Sequence, residues 1–342
     1  MKKLILHCGS TKTGTSAIQY GLGLNHKFLL DKSINYPLNN RLKRKLNNEN
    51  CVVGNAKFIS NFGNSITNKK VKKEKSEAAR EILIRFLEEC QSTESDLTIL
   101  SSESIPGKFD KNSILVLRDL LYKYFDNIVV LFYVRDILDH SVSQYNEYVK
   151  RRKETKTFSE YSLTHKCRFK NHIEVLLTGF GENNLEVKNY ADEKDNLWLN
   201  FIKNLQFQDL DPKDLESPRK INRSLCKEEI EFYRIINKKS KHGLTKYLKD
   251  FWEQNKPLTN NAIIPSLEVL NRFEKENIQK LDYVNNFLKG SKSPLKIVSN
   301  NLRDKINNYS AFEEENHTEN KGYKYLYFMN LCNYFLKKIE NE

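Results

Sequence analysis

The stretch LILHCGSTKTGTSAIQ, residues 4–19, decides the fold. It opens as a short apolar run, turns through a loop with two glycines and continues as a helix, the layout of a strand feeding a phosphate-binding turn. From Gly9 to Ser16 it meets the nucleoside-triphosphatase pattern G-x-x-x-x-G-K-[ST] at all positions but one: Thr15 stands where that pattern has lysine. The loop's lysine is Lys12, on the other side of Gly14. Backbone N–H groups of such a loop cradle an anion at a helix start. Gly14 lets the backbone approach it, and Thr13, Thr15 and Ser16 offer hydroxyls. A lysine displaced to position 12 suits a single phosphate bearing a transferable group better than a triphosphate tail.

Working outward, Lys3–Cys8 reads as a buried strand, and residues from about Gly14 to Leu30 as one helix with Ile18, Leu22 and Leu29 on its apolar face. Residues 35–75 are rich in Asn and Lys, show weak periodicity and read as a variable insertion. Ser76 is expected to cap a helix running through Cys90. LTILSSESIPG (97–107) gives a second strand ending at Ser101 or Ser102, and Asp110 to Phe125 a helix. IVVLFYV (128–134) is a continuous β-branched and aromatic run, hence a buried strand. Arg135 and Asp136 end it, and a helix follows to about Arg152, with Asp136 as its expected cap and Asp139 in its first turn. LEVKNYA (185–191) supplies a fourth strand before a helix carrying Trp198, Phe201, Ile202 and Leu205. Beyond Glu216 the pattern is helical over 226–238 and about 266–288, and an aromatic stretch, YKYLYFMNLCNYFLKKI (323–339), reads as packing surface or as a peripheral membrane or partner helix.

Alternating strands and helices imply an α/β fold: a P-loop-like parallel sheet flanked by helices, with a mostly helical C-terminal region. The expected division is an α/β domain over 1–285 and a helical extension over 286–342. Ligands of such sheets bind at the carboxyl ends of the strands. Three ends carry chemically capable residues: Cys8–Gly9, Ser101–Glu103 and Val134–Asp136.

The charge is +13, from 57 Lys and Arg against 44 Asp and Glu. That excess favours polyanionic partners such as nucleotide phosphates, acidic glycans, anionic lipid or nucleic acid, and equally describes a Lys-rich surface. The six cysteines are scattered without a C-x-x-C pair, and the seven histidines show no metal-ligand spacing, so no metal is expected. No apolar run reaches the ~20 residues that span a bilayer, and no signal peptide is visible at the N-terminus, which points to the cytoplasm.

STKTGTS after a first strand resembles the 5′-phosphosulfate loop of sulfotransferases that use 3′-phosphoadenosine 5′-phosphosulfate (PAPS), in the bacterial glycan-type form K-T-G-T-[ST]. FYVRDILDHSVSQYNEY is similar to that family's second motif, a strand ending in Arg with Ser eight positions later, here Arg135 and Ser143. The resemblance implies that Thr11, Lys12, Thr13, Gly14, Thr15 and Ser16 hold the phosphosulfate, and that Arg135 and Ser143 hold the nucleotide 3′-phosphate. It also implies that Glu103, in S-S-E, is the base that takes the acceptor's proton while Lys12 assists the leaving group, with a saccharide as acceptor. Asn222 and Ser224, in RKINRSL, resemble an Asn-x-Ser-Leu segment before a helix; Ser224 equally reads as a plain helix cap. NYADEKDNLWLNFI looks like the family's strand–Tyr–helix segment. His140 reads as a structural histidine or a contact behind the site. An atypical P-loop kinase or NTPase and a non-enzymatic polyanion-binding protein remain the alternatives.

Overall fold

The computed structural model describes residues 1–47, 54–68, 70–205, 210–218, 224–239, 261–288 and 291–312. Five parallel strands, β1 (Lys3–His7), β2 (Ile34–Asn35), β3 (Leu97–Ser101), β4 (Asn127–Val134) and β5 (Leu185–Asn189), form one sheet in the order β2-β3-β1-β4-β5. The chain fills β2 and β3 on one side of β1 and β4 and β5 on the other. The reversal therefore falls at β1, where open α/β sheets place their ligand crevice. Leu4 pairs with Thr98 and Ile128, and His7 with Ser101 and Leu131, so the ends of β1 and β3 come level, with β4 running on past them.

The strands read as continuous apolar runs because both faces are covered. All of β3 and the last five residues of β4 are buried. On one face Ile5, Ile99 and Tyr133 pack with Ile18 and Leu22 of α1 (Thr15–Leu24) and with Trp198 and Phe201 of a later helix (Leu197–Asn204). Ile114 of the helix Ser113–Leu121 and Ile173 and Leu176 of the helix Phe169–Phe180 are likewise buried.

Several local expectations are corrected. The first helix does not run on to Leu30. It stops at Leu24, and α2 (His26–Asp31) starts afresh, because the Asn25 carboxamide donates to Gly21 O at 2.8 Å and exchanges two bonds with the Glu216 backbone. The stretch 35–75 contains α3 (Asn40–Asn47) and α4 (Lys57–Thr67), the latter burying Ile59 and Phe62. Ser76 is no cap: α5 spans Lys73–Ser92, with Lys72 at the capping position. The helix expected from Asp110 forms over Ser113–Leu121, α6, with Asp110 accepting from Ser113 N at 2.8 Å.

The chain divides into two compact units, each assembled from three stretches. The first holds the sheet and comprises Met1–Arg135, Arg168–Ile221 and Gln279–Leu295. The second comprises Asp136–Cys167, Asn222–Ile278 and Lys296–Glu342. Within it, α7 (Ile137–Arg151) buries Leu138, Tyr145 and Val149, and the Tyr145 ring lies 5.4 Å from Phe158 and 5.2 Å from Tyr161, both of α8 (Phe158–Thr164). The helix read over 226–238 forms over Lys227–Lys239. Ser224 lies three residues ahead of it, exposed, and the Glu229 carboxylate caps its start instead by accepting from Cys226 N at 2.9 Å. The aromatic stretch 323–339 lies outside the described residues.

Candidate active site

The loop between β1 and α1 hangs from β4. Cys8 N donates to Leu131 O at 2.9 Å and Ser10 N to Tyr133 O at 3.0 Å, which carries the ladder beyond the end of β1. The chain then turns through two left-handed residues, Lys12 at φ 65° and Gly14 at φ 77°. The second needs glycine for space as well as backbone, since a Cβ there would sit 2.1 Å from Leu197 Cδ2 and 3.1 Å from Tyr190 Cε2. Thr13 is buried and donates its hydroxyl to Ser10 O at 2.6 Å, so its proton closes the loop on itself. Thr11, Lys12 and Ser16 are half-buried, and α1 begins at Thr15 with neither a side-chain cap nor an acidic residue in its first turn. A helix start of that kind retains its positive end for an anion.

Arg135 follows β4 and donates from Nη1 to Lys12 O at 3.2 Å. Its guanidinium lies 5.3 Å from the centre of the Tyr190 ring, which follows β5. Two residues singled out 123 positions apart thus meet at the carboxyl end of the sheet, with the Tyr190 ring beside the arginine. The segment 291–295 fastens the end of β5: Asn189 N donates to Ser291 Oγ, and Lys292 N and Ser293 N donate to the Asp192 carboxylate at 2.8 and 3.2 Å.

Glu103 lies two residues past β3, exposed. Its turn is pinned on both sides. Ser102 N donates to His7 O at 3.0 Å, and the hydroxyls of Ser60, Ser102 and Ser104 form a triangle with edges of 2.7, 3.0 and 3.1 Å. Lys12, Arg135 and Glu103 therefore follow the three neighbouring strands β1, β4 and β3. Cys8 is buried, and that burial pushes its thiol up.

Ser143 lies half-buried on α7 in the second unit. Asp136 stands at the capping position of α7 as expected, but its carboxylate makes no capping bond: Oδ1 accepts from Lys296 N at 2.8 Å. Asn222 lies outside the described residues. His140 is buried, with its ring centre 5.7 Å from that of His165. Among the described residues no three His, Cys, Asp or Glu form a group that could hold a metal ion, and no helix is long and apolar enough to cross a membrane.

His7 escaped the sequence reading. Its imidazole is buried under the loop, with Nδ1 2.8 Å from Ser101 Oγ, and burial pushes its pKa down to about 3. The available signal was a polar residue at the last position of an apolar strand, two residues before Gly9.

No protein-family model matches the chain, and no curated protein matches it in sequence. Among solved structures it is similar to a sulfotransferase from Alicyclobacillus acidocaldarius, at 12% identity and a TM-score of 0.35 over 69% of this chain and 93% of that one. It is likewise similar to the sulfotransferase domain from the curacin biosynthetic pathway, at 12% identity and a TM-score of 0.36 over 81% and 97% of the two chains. A third is retinol dehydratase, in complex with androsterone and the inactive cofactor PAP, at 12% identity and a TM-score of 0.32 over 86% and 83%. Likeness of this degree fixes neither a family nor an activity for this chain.

Proposed function

We propose that the chain is a sulfotransferase that moves the sulfonyl group of PAPS to an acceptor hydroxyl, with a saccharide of a surface or lipid-linked glycan as the acceptor class and the cytoplasm as its place of action. The observation that carries this reading is the bond from Arg135 Nη1 to Lys12 O, which joins the displaced lysine of the loop to the arginine of the second motif. The residues suit such a donor: a glycine-bounded cradle, an uncapped helix start and a buried Thr15 hydroxyl without a hydrogen-bond partner all suit an anion.

When bound, PAPS supplies an activated sulfonyl group. Its transfer forms an S–O bond to the acceptor and breaks the S–O bond to the phosphate, leaving adenosine 3′,5′-bisphosphate. Thr11, Gly14, Thr15 and Ser16 line the cradle, and Lys12 neutralises the charge that develops on the departing phosphate oxygen. Arg135 offers a planar fork to the 3′-phosphate. Ser143 and, more weakly, Asn222 and Ser224 are assigned to the nucleotide or acceptor by resemblance alone. Glu103 takes the acceptor's proton on its carboxylate, and its pinned turn fixes where that carboxylate starts. No metal enters this scheme.

Calorimetry with adenosine 3′,5′-bisphosphate, ATP and ADP, with and without magnesium, tests the donor. Tight, metal-independent binding of the bisphosphate and little of ATP is expected. Magnesium-dependent ATP binding would replace this reading with a kinase or NTPase. If no nucleotide binds, and RNA or heparin binds with a steep salt dependence that survives Lys12→Ala, the polyanion-binding reading takes its place.

A further inference from the structure

Beneath the loop lies a buried polar chain that the proposed reaction does not use. Gln19 Nε2, from α1, reaches Ser101 Oγ at 3.0 Å and Ser101 O at 3.4 Å. A carbonyl oxygen accepts only, so the amide nitrogen is the donor in both contacts. The Ser101 hydroxyl, which accepts from Gln19, also shares a hydrogen bond with His7 Nδ1 at 2.8 Å. Where the Ser101 proton goes to Nδ1, the neutral His7 ring carries its own proton on Nε2. Asn55 holds Ser101 in turn, accepting from its backbone N at 2.8 Å and donating to Ile99 O at 2.9 Å.

His7 Nε2 is fully buried and has no hydrogen-bond partner, and neither has Thr15 Oγ1, on a residue 3% exposed. Both atoms face the same small space. A Cβ on Gly9 would lie 2.3 Å from Thr15 Oγ1 and 3.5 Å from His7 Nε2, so the glycine keeps that space open. An unpartnered N–H and an unpartnered hydroxyl buried side by side are costly unless they act together.

We infer that His7 is a positioning residue for the anion in the loop, acting through Thr15. On anion binding the Nε2–H is brought onto the Thr15 oxygen, which turns the threonine proton outward to the anion at the start of α1. The Gln19–Ser101–His7 chain thus sets the direction of one hydroxyl in the cradle. The inference rests on the proposed function only in taking the loop's ligand to be an anion.

The test uses the whole chain with two probes, inorganic sulfate and adenosine 3′,5′-bisphosphate. Histidine ¹⁵N NMR of the wild type should show His7 protonated on Nε2 alone, with the Nε2–H signal shifting when sulfate is added. The opposite tautomer, or a signal that ignores sulfate, overturns the inference without any mutation. His7→Asn keeps an acceptor near the Nδ1 position and loses the distal donor, and should weaken bisphosphate binding roughly tenfold. His7→Gln, whose amide nitrogen reaches the Nε2 position, should restore it to within about threefold. Thr15→Val should lose as much as His7→Asn, and the double variant no more than either. Additive losses, or a folded His7→Asn that binds like wild type, sink the route through Thr15. Should His7→Asn not fold, Ser101→Ala interrupts the same chain one residue back and must weaken binding in the same way. A chain that binds sulfate with the His7 response but ignores the bisphosphate would leave this inference standing and remove the PAPS reading.

Discussion

Strands β1 and β4 each hand over to a helix, and the two junctions are built in opposite ways. At the start of α1 there is no side-chain cap and no acid in the first turn, and a lysine stands in the loop. At the start of α7 the chain closes on itself. Ile137 N and Leu138 N donate to Lys296 O and Ile297 O at 3.1 and 2.7 Å, while Asp136 and Asp139 accept from Lys296 N and Ser299 N at 2.8 and 2.9 Å. The positive end of one helix is spent on internal carbonyls and acids; the other is arranged as an anion site needs it. A strand followed by a helix is therefore not enough to mark a phosphate site. What matters is who satisfies the first turn.

Three substitutions and a titration can break or sharpen this contrast. Glu103→Ala should show the largest change, a loss of at least about a hundredfold in sulfonyl transfer from PAPS to an oligosaccharide panel read by mass spectrometry, with bisphosphate affinity retained. A fully active variant removes Glu103 from the mechanism. Arg135→Ala should weaken bisphosphate binding by up to about a hundredfold in calorimetry, since it removes a charged fork and the tie to Lys12 O. Asp139→Ala should do the reverse. It loses the bonds from Ser299 N and Oγ, so thermal unfolding should register about 1–2 kcal/mol of lost stability while the bisphosphate affinity stays within twofold. A tenfold affinity change there would mean that the start of α7 takes part in binding after all.

The pH dependence of stability is a finer probe. Burial pushes His7 down to about 3 and His172 to about 4, so both are neutral in the fold, whereas the unfolded chain protonates near 6.5. Protons then favour the unfolded state. Stability is complete above pH 6.5 and should fall on acidification by up to about 1.4 kcal/mol per pH unit for each ring, until about pH 4 for His172 and pH 3 for His7. Urea titrations of wild type and His172→Phe at pH 7, 6 and 5 should diverge accordingly; parallel curves would show that His172 titrates normally.

The sequence carried the parts of this molecule whose cause is local. The apolar runs of β1, β3 and β4 gave their own ends away, and with them the places of Lys12, Glu103 and Arg135. The two-residue β2 is too short for a pattern, and the break at Asn25 depends on the Glu216 backbone, 191 residues on. Asp136 and Asp139 look like ordinary first-turn acids until residues 296–299 arrive to use them. Nothing adjacent to His7 announces its bond to Ser101, or that Gln19 will bond the same hydroxyl. Partners far along the chain leave no mark in a local window, and such partners decide what each polar group has left to offer.

Lys12 holds its backbone at φ 65°, a conformation that glycine adopts freely and lysine does not. The residue proposed to serve the reaction therefore sits on a strained backbone that glycine would relax. Lys12→Gly should yield a protein more stable by about 1 kcal/mol in urea unfolding and deficient in transfer, while Lys12→Ala should be deficient without the gain. Directed selection for thermal endurance alone would push this loop toward glycine, and each such gain would be made at the expense of the proposed transfer.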